Sequence, residues 1–148
     1  MRLALDRSLC CALLLLAACG GPRRPAIVDL TGRENLSFFN LASIRGARDG
    51  DSLQAQAMFT DSSSILTIEM RFRIGSPTTL SAGNWQWTRN NHRTEGTLAS
   101  QSVTFLGGQD GPPSIGGTFD LTGPDGSARY RVTIPVTKLR PPGARNRQ

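Results

Sequence analysis

The chain has 148 residues, a formal net charge of +6, a single histidine and three cysteines. That length suits one domain. The cysteines stand at positions 10, 11 and 19, so nothing beyond residue 19 can form a disulfide, supply a thiolate to a metal or act as a cysteine nucleophile. Lys138 is the one lysine among 17 basic residues. The arginine bias comes with no aromatic-plus-basic recognition motif, so the charge is not read as nucleic-acid binding. It suits anionic lipid headgroups or acidic protein partners.

Taken from the start, Arg2 and Arg7, offset by Asp6, precede an uncharged run from Leu9 to Ala18. A signal-peptide hydrophobic region has about 7–15 apolar residues, whereas a membrane-spanning helix needs about 20. The run ends in Leu16-Ala17-Ala18-Cys19 and is followed at once by Gly20, Gly21 and Pro22. These four residues resemble the lipobox of bacterial lipoproteins. In that family a diacylglycerol is joined to the cysteine sulfur and a dedicated signal peptidase, signal peptidase II, cuts just before it. The resemblance covers the beginning of the chain and none of its body. It implies lipidation, palmitate included, at Cys19, with Leu16, Ala17 and Ala18 as the recognition residues. Gly20 stands where an Asp would signal inner-membrane retention, so the resemblance implies the outer membrane of a Gram-negative bacterium. The alternative is an ordinary secretory signal cut at Ala-x-Ala, which leaves Cys19 as a lone thiol, a liability in an oxidising compartment.

On this reading residues 1–18 are a signal peptide and 19–25 a lipidated tether, with Arg23-Arg24 near headgroup phosphates or simply solvated. Residues 26–140 are the folded domain and 141–148 a disordered basic tail. Removing the signal takes away Arg2, Arg7 and Asp6, leaving fifteen basic against ten acidic side chains, a net +5.

Within the body, Ala26 to Leu30 reads as an edge strand. Asn35 to Arg45 reads as a strand, with a short helix as the alternative, and Gly46 to Asp51 as a turn. Leu53, Ala55, Ala57 and Phe59 then alternate with Gln54, Gln56 and Met58. After a turn, Leu66, Ile68, Met70, Phe72 and Ile74 alternate with Thr67, Glu69, Arg71 and Arg73. Period two over so many positions is the mark of half-buried antiparallel strands. Leu80 to Thr88 follows, then a polar connection at Asn90–Arg93. Short strands are read at Thr94–Leu98 and Ser102–Leu106, with Val103 and Phe105 inward. Gly107 to Pro113 is a loop. Ile115–Leu121 and Ala128–Val136 form a hairpin about Gly123-Pro-Asp-Gly126, with Ile115, Phe119, Leu121, Tyr130, Val132, Ile134 and Val136 on the core side. No stretch after residue 25 has a helical period. The whole predicts an all-β fold, a single antiparallel β-sandwich or small barrel of about seven or eight strands. The hairpin GTFDLTGPDGSARYRV is similar to small β-sandwich lipoproteins of unknown function, and no site residue is carried across from that likeness.

The residues offer little catalytic chemistry. His92 lies in a polar loop with no Gly-x-Ser-x-Gly elbow in the chain, and Ser62-Ser63-Ser64 reads as turn chemistry. His92 with Glu95 makes at most two metal ligands where a stable zinc site takes three or four. Asp49-Gly-Asp51 and Asp125-Gly126 lack the spaced oxygens of a calcium loop. The sequence therefore predicts no catalytic residue, no metal and no cofactor. Trp85 and Trp87 share a strand face, either as core packing or as a flat platform for sugar rings beside Asn84, Gln86, Asn90 and Asn91. Arg71 and Arg73 share one outward face and Arg129 and Arg131 another. If their strands were neighbours, the four guanidiniums would line one surface fit for lipopolysaccharide phosphates or an acidic partner. The alternative is a solvated face partly paired with carboxylates. The expectation is an outer-membrane-anchored lipoprotein, a non-enzymatic binding or structural module of the envelope whose partner is an envelope protein or glycan. A carbohydrate-binding lipoprotein using Trp85 and Trp87 is the alternative, and a small inhibitor of a host or rival hydrolase a third reading.

Overall fold

The computed structural model describes residues 26–36, 39–107 and 111–143. The signal, Cys19, the tether and residues 144–148 lie outside the described residues. Eight strands are present: β1 (Ala26–Asp29), β2 (Asn40–Asp49), β3 (Ser52–Thr60), β4 (Ser64–Arg73), β5 (Thr79–Arg89), β6 (His92–Leu106), β7 (Ser114–Thr122) and β8 (Arg129–Lys138). They make one antiparallel sheet in the order β1-β8-β7-β6-β5-β4-β3-β2, curled into a half-barrel. The chain from β2 to β8 is thus an up-and-down meander, and β1 lies along β8 at the far edge.

Turn chemistry fixes the register. Asp49 pairs with Ser52 across the two-residue loop Gly50–Asp51, where Gly50 has φ +58°. Arg89 pairs with His92 across Asn90–Asn91, whose φ values are +46° and +63°. Two consecutive left-handed residues are what a type I′ hairpin requires, and Asn tolerates that region better than most residues. Between β3 and β4 the Asp61 carboxylate accepts hydrogen bonds from the backbone N–H of Ser63 (2.7 Å) and Ser64 (2.6 Å).

Alternation set by these turns aims one face of every strand inward. Leu53, Ala57, Phe59, Leu66, Ile68, Phe72, Ile115, Phe119, Leu121 and Val132 are all buried in one core. Because the sheet curls, that core joins strands that are not neighbours. Phe72 on β4 meets Phe119 on β7 edge to face, with ring centroids 6.1 Å apart. Trp85 on β5 meets Tyr130 on β8 at 6.0 Å. β5 and β6 pair from Arg89/His92 to Asn84/Thr97; past that point Leu98 of β6 lies over Gly83, where any Cβ would crowd its side chain. Two further contacts draw the sheet's ends together. Leu139, buried just past β8, donates its N–H to the Pro113 carbonyl (2.9 Å). Arg140 then bridges to the β2 edge, with its N–H donating to Ile44 and its carbonyl accepting from Gly46.

The all-β expectation of about seven or eight antiparallel strands is met with eight strands in one curled sheet, and several details differ. The second strand begins at Asn40 and runs on to Asp49, because Gly46, Ala47 and Arg48 pair with Ala55, Gln54 and Leu53 and only Gly50–Asp51 is left to turn. The two short strands expected at 94–98 and 102–106 are one, β6, which absorbs Gln101 in a bulge between Ser100 and Ser102. The polar connection at 90–93 shrinks to its two asparagines. Val136 is exposed at 47%, because an irregularity between Ile115 and Gly117 shifts the register of β8 after Ile134.

Replacing Leu139 by Ala should cost about 2–5 kcal/mol in chemical denaturation, the range for emptying a fully buried leucine site. An unchanged midpoint would show that the clasp adds nothing to closure.

Candidate functional site

The outer face of β2–β5 carries a groove of about 740 Å³. Register builds it. Arg45, Gln56, Glu69 and Asn84 form one row across the four strands, and Ala47, Gln54, Arg71 and Ala82 the next. Side chains directly opposite one another on neighbouring strands lie about 4.5–5.5 Å apart at Cβ, so each row is continuous. Ala47 and Ala82 keep the second row low at both ends, while Pro142 and Gly143, carried onto this face by the Arg140 clasp, form a rim.

Few of the polar side chains here are committed to one another among the described residues. Among the described residues the Arg71 guanidinium and the Gln54 and Asn84 carboxamides make no side-chain hydrogen bond. Glu69 has only a 3.4 Å bond accepted from Gln56 Nε2. Arg45 Nε is shielded from solvent and also unpartnered. Other polar clusters satisfy themselves. Arg131 binds Asp120 through two nitrogens at 2.7 and 3.0 Å, with Gln101 on the same carboxylate at 2.8 Å. Arg93 pairs with Glu95 at 2.9 Å and Ser127 with Asp125 at 2.8 Å.

The four arginines singled out in the sequence do not meet. β4 and β8 are separated by β5, β6 and β7. Arg71 lines the groove, Arg73 stands 3.9 Å from Asp51 at an exposed turn, and Arg131 is occupied by Asp120. The common four-guanidinium surface is thereby excluded: strand order, which period-two alternation does not encode, decides it.

Trp85 and Trp87 point inward and are 2% and 3% exposed. Neither indole offers a free face to a sugar ring. Trp85 donates Nε1–H to the Thr122 carbonyl at 3.3 Å. Trp87 is boxed by Phe39 (5.0 Å) and Tyr130 (4.9 Å), with the Arg89 guanidinium 3.7 Å from its ring centroid. Arg89 in turn grips Glu34 in a two-pronged pair at 2.9 and 2.8 Å. Sequence reasoning missed this closure of the Trp end, because Glu34 and Arg89 lie 55 residues apart. His92 is exposed beside the hairpin turn, and no group of three metal-ligating side chains occurs among the described residues.

Asp29, at the end of β1, holds the crossing segment to this aromatic end. Its carboxylate accepts from Thr31 Oγ1 (2.7 Å) and from the backbone N–H of Thr31, Arg33 and Glu34 (2.8, 2.9 and 2.9 Å). Burial pushes the Asp29 carboxyl up, yet these bonds outweigh it and hold the group below the ordinary carboxylate range. The Ser63 backbone bond does the same for Asp61, the Arg131 side chain for Asp120 and the Ser127 backbone for Asp125. Burial raises the Tyr130 hydroxyl.

Carboxyls depressed in the folded state bind protons more readily once unfolded, so their contribution is full above the unfolded-state range and shrinks as pH falls. Thermal unfolding should therefore vary little between about pH 5 and 7 and drop below roughly pH 4. Asp29→Asn should flatten part of that fall. Tryptophan emission should be blue-shifted and resistant to iodide, and Glu34→Gln should make it more quenchable by freeing Arg89 from its clamp over Trp87. Emission typical of water-exposed indole would contradict the buried cluster.

Compared with known proteins, the chain matches no family model, no curated protein and no solved structure.

Proposed function

We propose that the chain is a lipid-anchored, non-enzymatic binding module of the bacterial cell envelope, tied to the outer membrane through acyl chains on Cys19 and presenting the β2–β5 groove to an envelope component. The observation that carries the anchor is the Leu16-Ala17-Ala18-Cys19 sequence after a short uncharged run. The observation that supports a binding role is the groove itself, where among the described residues Arg71, Gln54 and Asn84 make no side-chain hydrogen bond. Cys19 stands seven residues before the first strand at Ala26, so the acyl chains would enter the bilayer close beneath the domain. One acyl chain binds only marginally, at about 0.8 kcal/mol per buried CH₂, and two or three together make a lasting anchor. Affinity for the membrane then asks nothing of the folded surface, and the groove is free for another partner.

Cells fed an alkyne-tagged palmitate should label this chain in the membrane fraction, and Cys19→Ser should abolish the label and release the protein. Absence of label from the wild-type band, or its survival in the serine variant, would overturn the anchor.

A further inference from the structure

We propose that the β2–β5 groove is a subsite for a carboxylate-bearing polysaccharide, one whose hydroxyl-rich units carry well-spaced acidic groups. The inference rests on the reading of the domain as a binding module and adds a ligand class to it.

Four features select that chemistry. The first is the guanidinium of Arg71, unspent among the described residues, with Arg45 lining the same groove two strands away. A guanidinium is a planar fork of donors that matches a carboxylate through two parallel bonds. The second is the trio Gln54, Gln56 and Asn84. A carboxamide donates and accepts at once, as a sugar hydroxyl does, so Gln54 and Asn84 can each serve one hydroxyl in both senses, while Gln56 already donates to Glu69.

The third feature is the order of charge. Glu69 is two residues from Arg71 on β4 and shares the Arg45 row, so the groove reads positive, negative, positive. That carboxylate accepts from a neutral hydroxyl and repels a second anion placed over it. A chain with closely packed negative charge, such as a polyphosphate, is therefore disfavoured, whereas one carboxylate per sugar unit is accommodated. The fourth is shape. The small residues Ala47 and Ala82 leave room for a ring, and about 740 Å³ falls within the 300–1,000 Å³ of ordinary small-ligand sites. A peptide added as a further strand is a poorer fit, because strand addition needs a free edge rather than a sheet face.

The test is a calorimetric titration of the full chain carrying Cys19→Ser with three probes: alginate oligosaccharide, a hexuronate polymer; dextran, hydroxyl-rich and neutral; and polyglutamate, carboxylated without sugar hydroxyls. Alginate should bind and the other two should bind at least tenfold more weakly. Arg71→Gln and Asn84→Ala should each weaken alginate about tenfold, the effect of one lost bond to a charged or well-placed polar group. Ala82→Leu should weaken it by filling the floor. Arg129→Gln, which removes the same charge from a strand outside the groove, should leave it unchanged. Polyglutamate binding as tightly as alginate, or Arg129→Gln acting as strongly as Arg71→Gln, would reduce the effect to net charge and overturn the proposal. Equal binding of dextran would remove the carboxylate requirement, and no binding of alginate would sink the ligand class outright. The palmitate result is independent of all these outcomes, so a failed titration leaves the anchor standing, and a failed anchor leaves the groove to be judged by titration. Native tryptophan emission of each variant separates lost binding from lost fold.

Discussion

A single antiparallel sheet with one apolar face can bury that face only by curling until its two halves meet. Phe72 against Phe119, and Trp85 and Trp87 against Tyr130, are where they meet, and each pair joins strands that share no hydrogen bond. A domain without cysteines has no covalent means of holding such a curl. Contact between distant apolar side chains has to supply it, at about 25 cal/mol per Å² of apolar surface removed from water. The close approach sets local demands as well. At Gly96 any Cβ would collide with the Thr122 carbonyl and crowd the Trp85 indole nitrogen. The bond from that indole to Thr122 exists because residue 96 has no side chain.

Both ends of the curl are closed by residues far apart in the chain, and by different physics. At one end Leu139 and Arg140 tie the exit of β8 to the loop before β7 and to the β2 edge through backbone hydrogen bonds and a buried leucine. At the other, Glu34 holds Arg89 flat over Trp87. That pair is about one-third exposed on each side, so it contributes on the order of 0.2–1 kcal/mol and weakens with salt. The guanidinium-on-indole contact is of similar size. The backbone clasp is the sturdier of the two closures.

The alternation of β3 and β4 was fully legible, because it depends only on neighbours in sequence: Leu53 to Phe59 and Leu66 to Phe72 are in, and Gln54, Gln56, Glu69 and Arg71 are out. The Asn90–Asn91 turn was half legible. Its polarity was plain, while its length depends on Arg89 finding His92. The β6 bulge was hidden, since Gln101 breaks the period of a strand that is continuous in hydrogen bonding. The groove was beyond reach for a different reason. Gln54, Arg71 and Asn84 each look like ordinary solvated strand residues. They become a site only when β3, β4 and β5 pair in a particular register and residues 142–143 arrive from the other end of the chain. The Trp pair shows the converse. Two indoles on one strand face can suit a platform or a core, and only the curl of the sheet decides that the face is the inner one.

That inner placement also bears on where binding can occur. With the half-barrel filled by Phe59, Phe72, Phe119 and both indoles, the proposed recognition would use the outside of the sheet, where the β2–β5 groove lies. On such a surface affinity comes from groups held ready without internal partners. Arg131 already spends its fork on Asp120, and Arg89 spends its own on Glu34, so neither can greet a ligand without first breaking an ion pair. Among the described residues Arg71 has no such pair to break. Beside it, Glu69 keeps the local field from becoming uniformly positive, so under the proposed reading the groove would distinguish a spaced pattern of charge from charge in bulk. On the proposed reading, a domain with a net positive charge would gain selectivity from that one carboxylate, because it would confine the attraction for anions to those whose spacing spares Glu69.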